Sequence, residues 1–531
     1  MKYCSEPDVG VYLSTPAGGV NVKKLLFAVL LSVISSSLVS AQTPESSGRV
    51  PAINRPIDIK VEPIEIAPPL GIPDAQTAPP PGVEAVMLYL SLMEAGKTEE
   101  AKAKAEEALR LLASPHDDGE FYARGVIHQE MRNYDLAIAD FNKAIELNPR
   151  WAAVYYSRGT AYGAKKEYDR AVSDLDKAVQ INPKHAGAYL SRGILYADKG
   201  ERERAIADFN KAIELNPGLP KAYFYRAGYY YRKGDTDRAI AEYSAAIRLN
   251  PRDVGDYYTL RGLLYADRSD YSHAIADFDK AIQLNPQDAD NYDHRGTAYY
   301  RKRDLDRAIA DFDGAIRLDP KRVDTYLSRG RAYSDKGDKD RALADFDKAI
   351  ELNPRERDAY GHRGSTYFAK GDADRALADF DKAIELGPPE AGSYFYRGCI
   401  YSGKGDYDRA IADFDKAVKL APERMAVHVY FNRGIAYFKK GDLDRALADF
   451  DRVIKLKPPN ASPYVHRGDA FFGKGDYGRA VADYSEAIRL EPAAAPAYQN
   501  RAKAYEKLGE GAKAQADRDK AAELERRGKK P

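Results

Sequence analysis

Ala186 to Pro217 reads AGAYLSRGILYADKGERERAIADFNKAIELNP, and this stretch decides the fold. Tyr189, Gly193 and Tyr196 fall on one face of a helix of about a dozen residues, which Lys199-Gly200 ends. Ala205, Phe209, Ala212 and Ile213 mark the face of a second helix, stopped by Asn216-Pro217. The same punctuation recurs along the chain. Prolines stand at 115, 149, 183, 217, 251, 286, 320, 354, 388, 422, 458 and 492, spaced by 34 residues except for steps of 35 before Pro286 and 36 before Pro458.

With Gly193 at position eight and Pro217 at position thirty-two, twelve copies run from Asp118 to about Arg526. Position eight is Gly in ten copies and Ala in two, Ala227 and Ala502; position twenty is Ala in all, from Ala137 to Ala514. An aromatic, then Gly, Tyr, Ala, Phe, Ala and Pro at these offsets resembles the tetratricopeptide repeat (TPR). The resemblance implies an all-α, right-handed superhelical solenoid of about 12 helix-turn-helix repeats, spanning 118–527. Ala101 and Ala108 suggest a degenerate extra hairpin over 83–117.

The pattern has a physical reading. Small residues at eight and twenty let two antiparallel helices approach closely, and Tyr at four and eleven is expected to fill the space around that contact. Those two positions hold 21 of the 39 tyrosines, which accounts for their excess over one Trp and 17 Phe. A single hairpin cannot bury its own apolar face, so neighbours stack. The two length variants are expected in loops between units, where insertion costs little. In the last unit Arg518 and Ala522 replace apolar residues, so Gly511 to Arg527 is expected to form a solvating cap that ends the array.

Charge is nearly balanced, 82 basic against 81 acidic residues, which argues against nucleic acid or anionic lipid as the partner of the whole surface. Two cysteines, Cys4 and Cys399, exclude a disulfide scaffold or a Cys-rich cluster. Lys23-Lys24, the apolar run Leu25 to Val39 and Val39-Ser40-Ala41 have the order of a secretory signal peptide cleaved after Ala41. The alternative is an uncleaved membrane anchor over 22–41. Met1 to Asn21 is long for such a leader, which places the natural start near Val20. Ten of the thirty prolines fall between Gln42 and Gly82, the composition of an extended linker; its segment Ile57 to Ile66 alternates like a strand. The tail 528–531 is short and basic.

Chemical motifs are few. Every copy carries Arg at position seven and an acid at twenty-three, expected to pair across the hairpin. The two carboxylates of Asp379-Phe-Asp-Lys382 diverge by about 200° on a helix, which disfavours a shared metal. Eight His are scattered; His294, His362 and His466 share position six but lie units apart. No sequence motif for a metal, a cofactor or a nucleotide is present. Asn460-Ala461-Ser462 is a glycosylation sequon.

The family resemblance places ligands on a concave groove lined by first-helix positions two, five, nine, twelve and thirteen. Carried onto this chain, it nominates Tyr156, Phe224, Tyr231, Tyr300, Phe368, Phe395, Phe431, Phe438 and Phe472 as groove aromatics, with Asp293, Arg301 and Arg331 in a charged central stretch that also holds Asp290, Asp324, Asp335 and Asp358. No unit has the Lys at five and Asn at nine of chaperone-binding members. The expected function is a non-catalytic, monomeric, exported scaffold (periplasmic or secreted) that holds extended or helical segments of partner proteins. The alternatives are an interaction subunit of a sugar transferase or other envelope enzyme, and a self-assembling array.

Overall fold

The computed structural model describes residues 81–94, 97–250, 255–387, 390–421, 423–456 and 461–528. The leader and its proposed anchor, the linker up to residue 80, the sequon asparagine and the tail beyond Gly528 lie outside the described residues. Among the described residues the chain is all-helical, with 26 helices and no strand.

The unit quoted above forms helices Ala186–Asp198 and Arg202–Leu215, and nearly every hairpin repeats these lengths. The turn between them is built by a short sequence cassette. In Lys336-Gly337-Asp338, Gly337 sits at φ +88°, a conformation costly for any residue with a Cβ. Its N–H reaches the Ser334 carbonyl at 2.9 Å, and that of Asp338 reaches the Tyr333 carbonyl at 2.9 Å, closing the first helix. Asp338 then accepts the Arg341 backbone N–H at 3.1 Å and caps the second helix. Asp372, Asp406, Asp442 and Asp476 do the same.

The chain forms two compact blocks, divided between Ala298 and Tyr299 inside the helix Ala289–Arg301. The first block opens with the hairpin Pro81–Glu94 and Thr98–Leu111, which packs on Asp118–Glu130 and buries Val86, Ala101 and Ala108 completely. Regular hairpins follow up to Gly255–Asp267 and Tyr271–Leu284. The second block runs from Leu305–Leu318 to Ala495–Lys507 and Gly511–Gly528. In both, each helix packs most extensively on its hairpin partner, and each second helix packs on the first helix of the next hairpin.

The close approach at position eight is made to a ring rather than to the opposing alanine. A Cβ on Gly330 would lie 2.6 Å from Cε1 of Phe346, the residue at position twenty-four. The same collision waits at Gly125, Gly193, Gly398, Gly434 and Gly468. That ring also makes the seam to the next unit: Phe209 stacks on Tyr225, Phe346 on His362, Phe380 on Tyr396 and Phe450 on His466, all with centroids 5.6–5.8 Å apart. Two of the position-six histidines, His362 and His466, are therefore members of ring stacks, and His294 meets Phe278 tilted at 5.7 Å.

The tyrosines at four and eleven pack in or against the core and have a second role. They flank the position-seven arginine: the Arg192 guanidinium lies over Tyr189 at 5.4 Å and Tyr196 at 5.8 Å, and Arg433 over Tyr430 and Tyr437 at 5.4 and 5.8 Å. The arginine itself holds two helices of its own unit and one of the preceding unit. Arg397 Nε and Nη2 donate to Asp413 Oδ2 and Oδ1 at 2.7 and 2.8 Å, and its Nη1 donates to Asp381 Oδ1 at 2.6 Å. Arg363 makes the same three bonds to Asp379 and Asp347. Thus the two diverging carboxylates of Asp379-Phe-Asp381 are gripped by arginines of successive units. The bidentate pair with the position-twenty-three acid is present in all eleven copies that lie wholly within one block, from Arg124–Asp140 to Arg501–Asp517.

One length variant departs from expectation. The extra residues before Gly434 lengthen a helix, Glu423–Lys440, instead of a loop. Met425, Ala426 and Val429 are buried, so continuing the helix covers apolar side chains that a loop would expose. In the last helix Arg518 is exposed and ion-paired with Glu506, as a solvated outer face requires.

Two outcomes follow. Gly330→Ala should lower the thermal midpoint by the ~1–3 kcal/mol of an overpacked site, whereas Gly361→Ala, whose Cβ meets nothing within 4 Å, should raise it slightly. Arg397→Met should cost ~3–5 kcal/mol because it strands the buried Asp413, and Arg397→Met/Asp413→Leu should cost less than the sum of its two single changes in denaturant titrations.

Candidate functional site

Positions four, six, seven, eight and eleven of the first helices are spent on packing; the residues nominated from the sequence stand at five, nine, twelve and thirteen. The structure sorts the nominated residues on this face into two groups.

Phe224, Tyr231, Phe395 and Asp293 are at most 5% exposed and are not available to a ligand as expected. Phe224 and Phe395 at position five lie against the ring at twenty-four of their own unit and are swallowed by the hairpin. Phe224 packs edge-on to Tyr243 at 5.7 Å and stacks on Tyr257 of the next unit at 4.5 Å; Phe395 meets Phe414 at 6.1 Å. Tyr122 at the same position is buried for the same reason.

The second group stays open to solvent. Tyr156, Tyr300, Phe368, Phe431, Phe438, Phe472 and Arg331 are half-buried, and Arg301 is exposed. Each ring packs against buried core residues, and four meet a neighbouring ring: Tyr156 with His185 at 4.8 Å, Phe368 with Tyr396 at 5.4 Å, Phe431 with His466 at 5.3 Å and Phe472 with Tyr477 at 5.2 Å. Arg331 covers Tyr300 at 5.4 Å.

A register that composition did not show links positions twelve and thirteen of successive units. The Tyr300 hydroxyl donates to Asp335 Oδ2 at 2.8 Å, and Arg303 donates to the same oxygen at 2.8 Å. One block earlier in the chain, the Tyr231 hydroxyl donates to Asp267 Oδ2 at 3.5 Å. In the last units Asp469 at position nine accepts from the Tyr484 hydroxyl at 2.7 Å and from Asn500 Nδ2 at 3.0 Å. Asp267 and Asp469 were not among the nominated residues. The acid at thirteen one unit after a tyrosine at twelve was the available signal.

Among the described residues no group of three or more His, Cys, Asp or Glu could hold a metal ion, and no helix is long and apolar enough to cross a membrane. Cys399 is buried.

Tetratricopeptide-repeat models match residues 190–254, 327–391 and 397–461, then 120–150, 152–185 and 255–288, then 289–322; a further TPR-repeat model matches 468–509. The chain belongs to the tetratricopeptide-repeat family. No curated protein matches it. Among solved structures this TPR chain is similar to the APC/C hetero-tetramer Cut9-Hcn1, at 14% identity over 80% of this chain and 96% of that one, with a TM-score of 0.42. It is also similar to a tetratricopeptide repeat protein from Parabacteroides merdae, at 23% identity over 47% and 98% of the two chains, TM-score 0.39. YrrB, a TPR protein with an unusual peptide-binding site, is 25% identical over 35% of this chain and 95% of its own, TM-score 0.33.

The ring stacks give this TPR face a pH dependence. Burial, with help from Lys439, pushes His466 down to about 4, and burial beside Arg331 pushes His362 down to about 3. A folded value below the ordinary 6.5 means the neutral ring is favoured in the folded state, so its stability is full above that value and is lost as pH falls toward 4. His466→Tyr, which copies Tyr225 and Tyr396 at the same position, should lose less stability than wild type between pH 6.5 and 4 in parallel thermal melts.

Proposed function

We propose that this protein is a non-catalytic scaffold that binds an extended or helical segment of partner proteins on the groove face of its first helices. The observation that carries the reading is the set of rings held half-open on that face. Tyr156, Tyr300, Phe368, Phe431, Phe438 and Phe472 remain part-exposed although all six pack against buried core residues, so a partner would bury area that the fold leaves uncovered. Arg301 and Arg331 supply charges that would set the register of the bound segment. The position-seven arginines and their acids are consumed in packing, which leaves them no catalytic part.

The working place proposed is outside the cytoplasm, periplasmic or secreted, on the strength of Lys23-Lys24, the apolar run Leu25 to Val39 and the small residues before Gln42. Retention through 22–41 is the variant of that reading, and amino-terminal sequencing of the mature protein separates the two.

The test of binding uses Phe368→Ala/Phe438→Ala. Partners captured from an envelope extract by the wild type should be lost or bound at least about tenfold more weakly by the double variant, with an unchanged helical circular dichroism spectrum. Equal capture by both proteins would refute the groove reading.

A further inference from the structure

The groove face changes sign along the second block. In its earlier units the face carries acids, Asp324 and Asp358 at position two and Asp335 at thirteen. In the helices Glu423–Lys440, Ser462–Gly473 and Ala495–Lys507 position two holds His428, Ser462 and Pro496 instead. These three helices add Lys439 and Lys507 at position thirteen and Lys503 at nine, all exposed. None of the three lysines makes an ion pair or a hydrogen bond to a described residue. Lysines just off the face do: Lys440 is tied to Asp408 and Lys474 to Asp444. Beside the unpaired cations stand Phe438 and Phe472 at position twelve, packed on the core beneath and half-open above.

We infer that this end of the groove is a subsite for an acidic, apolar stretch of the partner segment, with apolar side chains on Phe438 and Phe472 and carboxylates on Lys439, Lys503 and Lys507. An apolar stretch alone would leave the cations unused, and a basic one would be repelled. The protein's own carboxylates on these helices are already engaged. Asp469 accepts from the Tyr484 hydroxyl at 2.7 Å and from Asn500 Nδ2 at 3.0 Å, and Glu506 pairs with Arg518. Two of the lysines act on one spot. Burial pushes the Asp469 carboxyl up, while the Tyr484 hydrogen bond, Lys503, Lys439 and Asn500 pull it back, so both ammonium groups lie toward that carboxylate. Lys439 also adds to the burial that lowers His466, the ring on which Phe431 rests at 5.3 Å. Each exposed pair with a partner carboxylate is weak and screened by salt, so selectivity comes from several lysines acting together over the rings.

This inference rests on the groove reading, and the experiment separates the two. Wild type, Lys439→Gln/Lys503→Gln and Lys439→Glu/Lys503→Glu are titrated with fluorescent peptide pools whose fixed centres are Leu-Asp-Phe-Glu-Leu, Leu-Asn-Phe-Gln-Leu or Leu-Lys-Phe-Lys-Leu. All peptides are amidated, so no terminal carboxylate contributes. Wild type should bind the acidic pool at least about fivefold more tightly than the amide pool at low ionic strength, and the preference should shrink in about 0.5 M salt. The glutamine variant should bind the two pools equally, and the glutamate variant should turn toward the basic pool. Phe438→Ala/Phe472→Ala should weaken the acidic and amide pools alike. Equal binding of these pools by wild type, or an acidic preference that survives in the glutamine variant, overturns the subsite while leaving the groove standing. Failure of every pool to bind wild type removes the groove reading and this inference with it.

Discussion

One guanidinium per unit holds the array together. It reaches two oxygens of a carboxylate in its own hairpin, a polar atom on the second helix of the preceding unit, and one or two aromatic faces. A TPR hairpin is too thin to enclose its own core, so the stability of each unit lies largely in its contacts with the next. An arginine spanning that junction makes the packing of rings at twenty-four and six directional as well as apolar. Its fork fits a carboxylate in one orientation, which fixes how far one hairpin rotates on another. The buried acid, 3–6% exposed wherever it is an aspartate, makes the arrangement obligatory, because without the arginine that charge has no counterpart.

Spending these side chains on the junction decides what is left for function. The first-helix residues left part-open include half-supported rings and acids pinned by neighbouring phenols. Supported rings and pinned acids lose little freedom on binding, which favours a ready-made surface over one ordered by its ligand. The differences between units therefore lie on this face, while the junction repeats almost unchanged. Specificity for a long segment would come from reading several such positions in sequence.

The hairpins, the turn cassette, the extra amino-terminal hairpin and the arginine–acid pairing were legible in the sequence because each is a period-locked pattern. The role of the tyrosines was not. Positions four and eleven share a face with Gly193, but only coordinates show that the ring of Phe209 fills the space beside the glycine and that the tyrosines flank the arginine. Phe224 and Phe395 were misplaced for a related reason: each meets the ring at twenty-four of its own unit and is drawn inward, whereas Phe431 at the same position stays half-open. Helix Glu423–Lys440 absorbed an insertion because its added residues are apolar enough to be worth burying, which length arithmetic does not see.

The dependence of each unit on its neighbour through one arginine is tested most directly by native-state hydrogen exchange on Arg397→Met. The account predicts faster exchange concentrated in Ala373–Leu386, Ala391–Gly403 and Tyr407–Leu420, the helices that this guanidinium joins, with little change at Asp118–Glu130 and Tyr134–Leu147. Exchange that rises evenly along the chain, or not at all at those three helices, would contradict it.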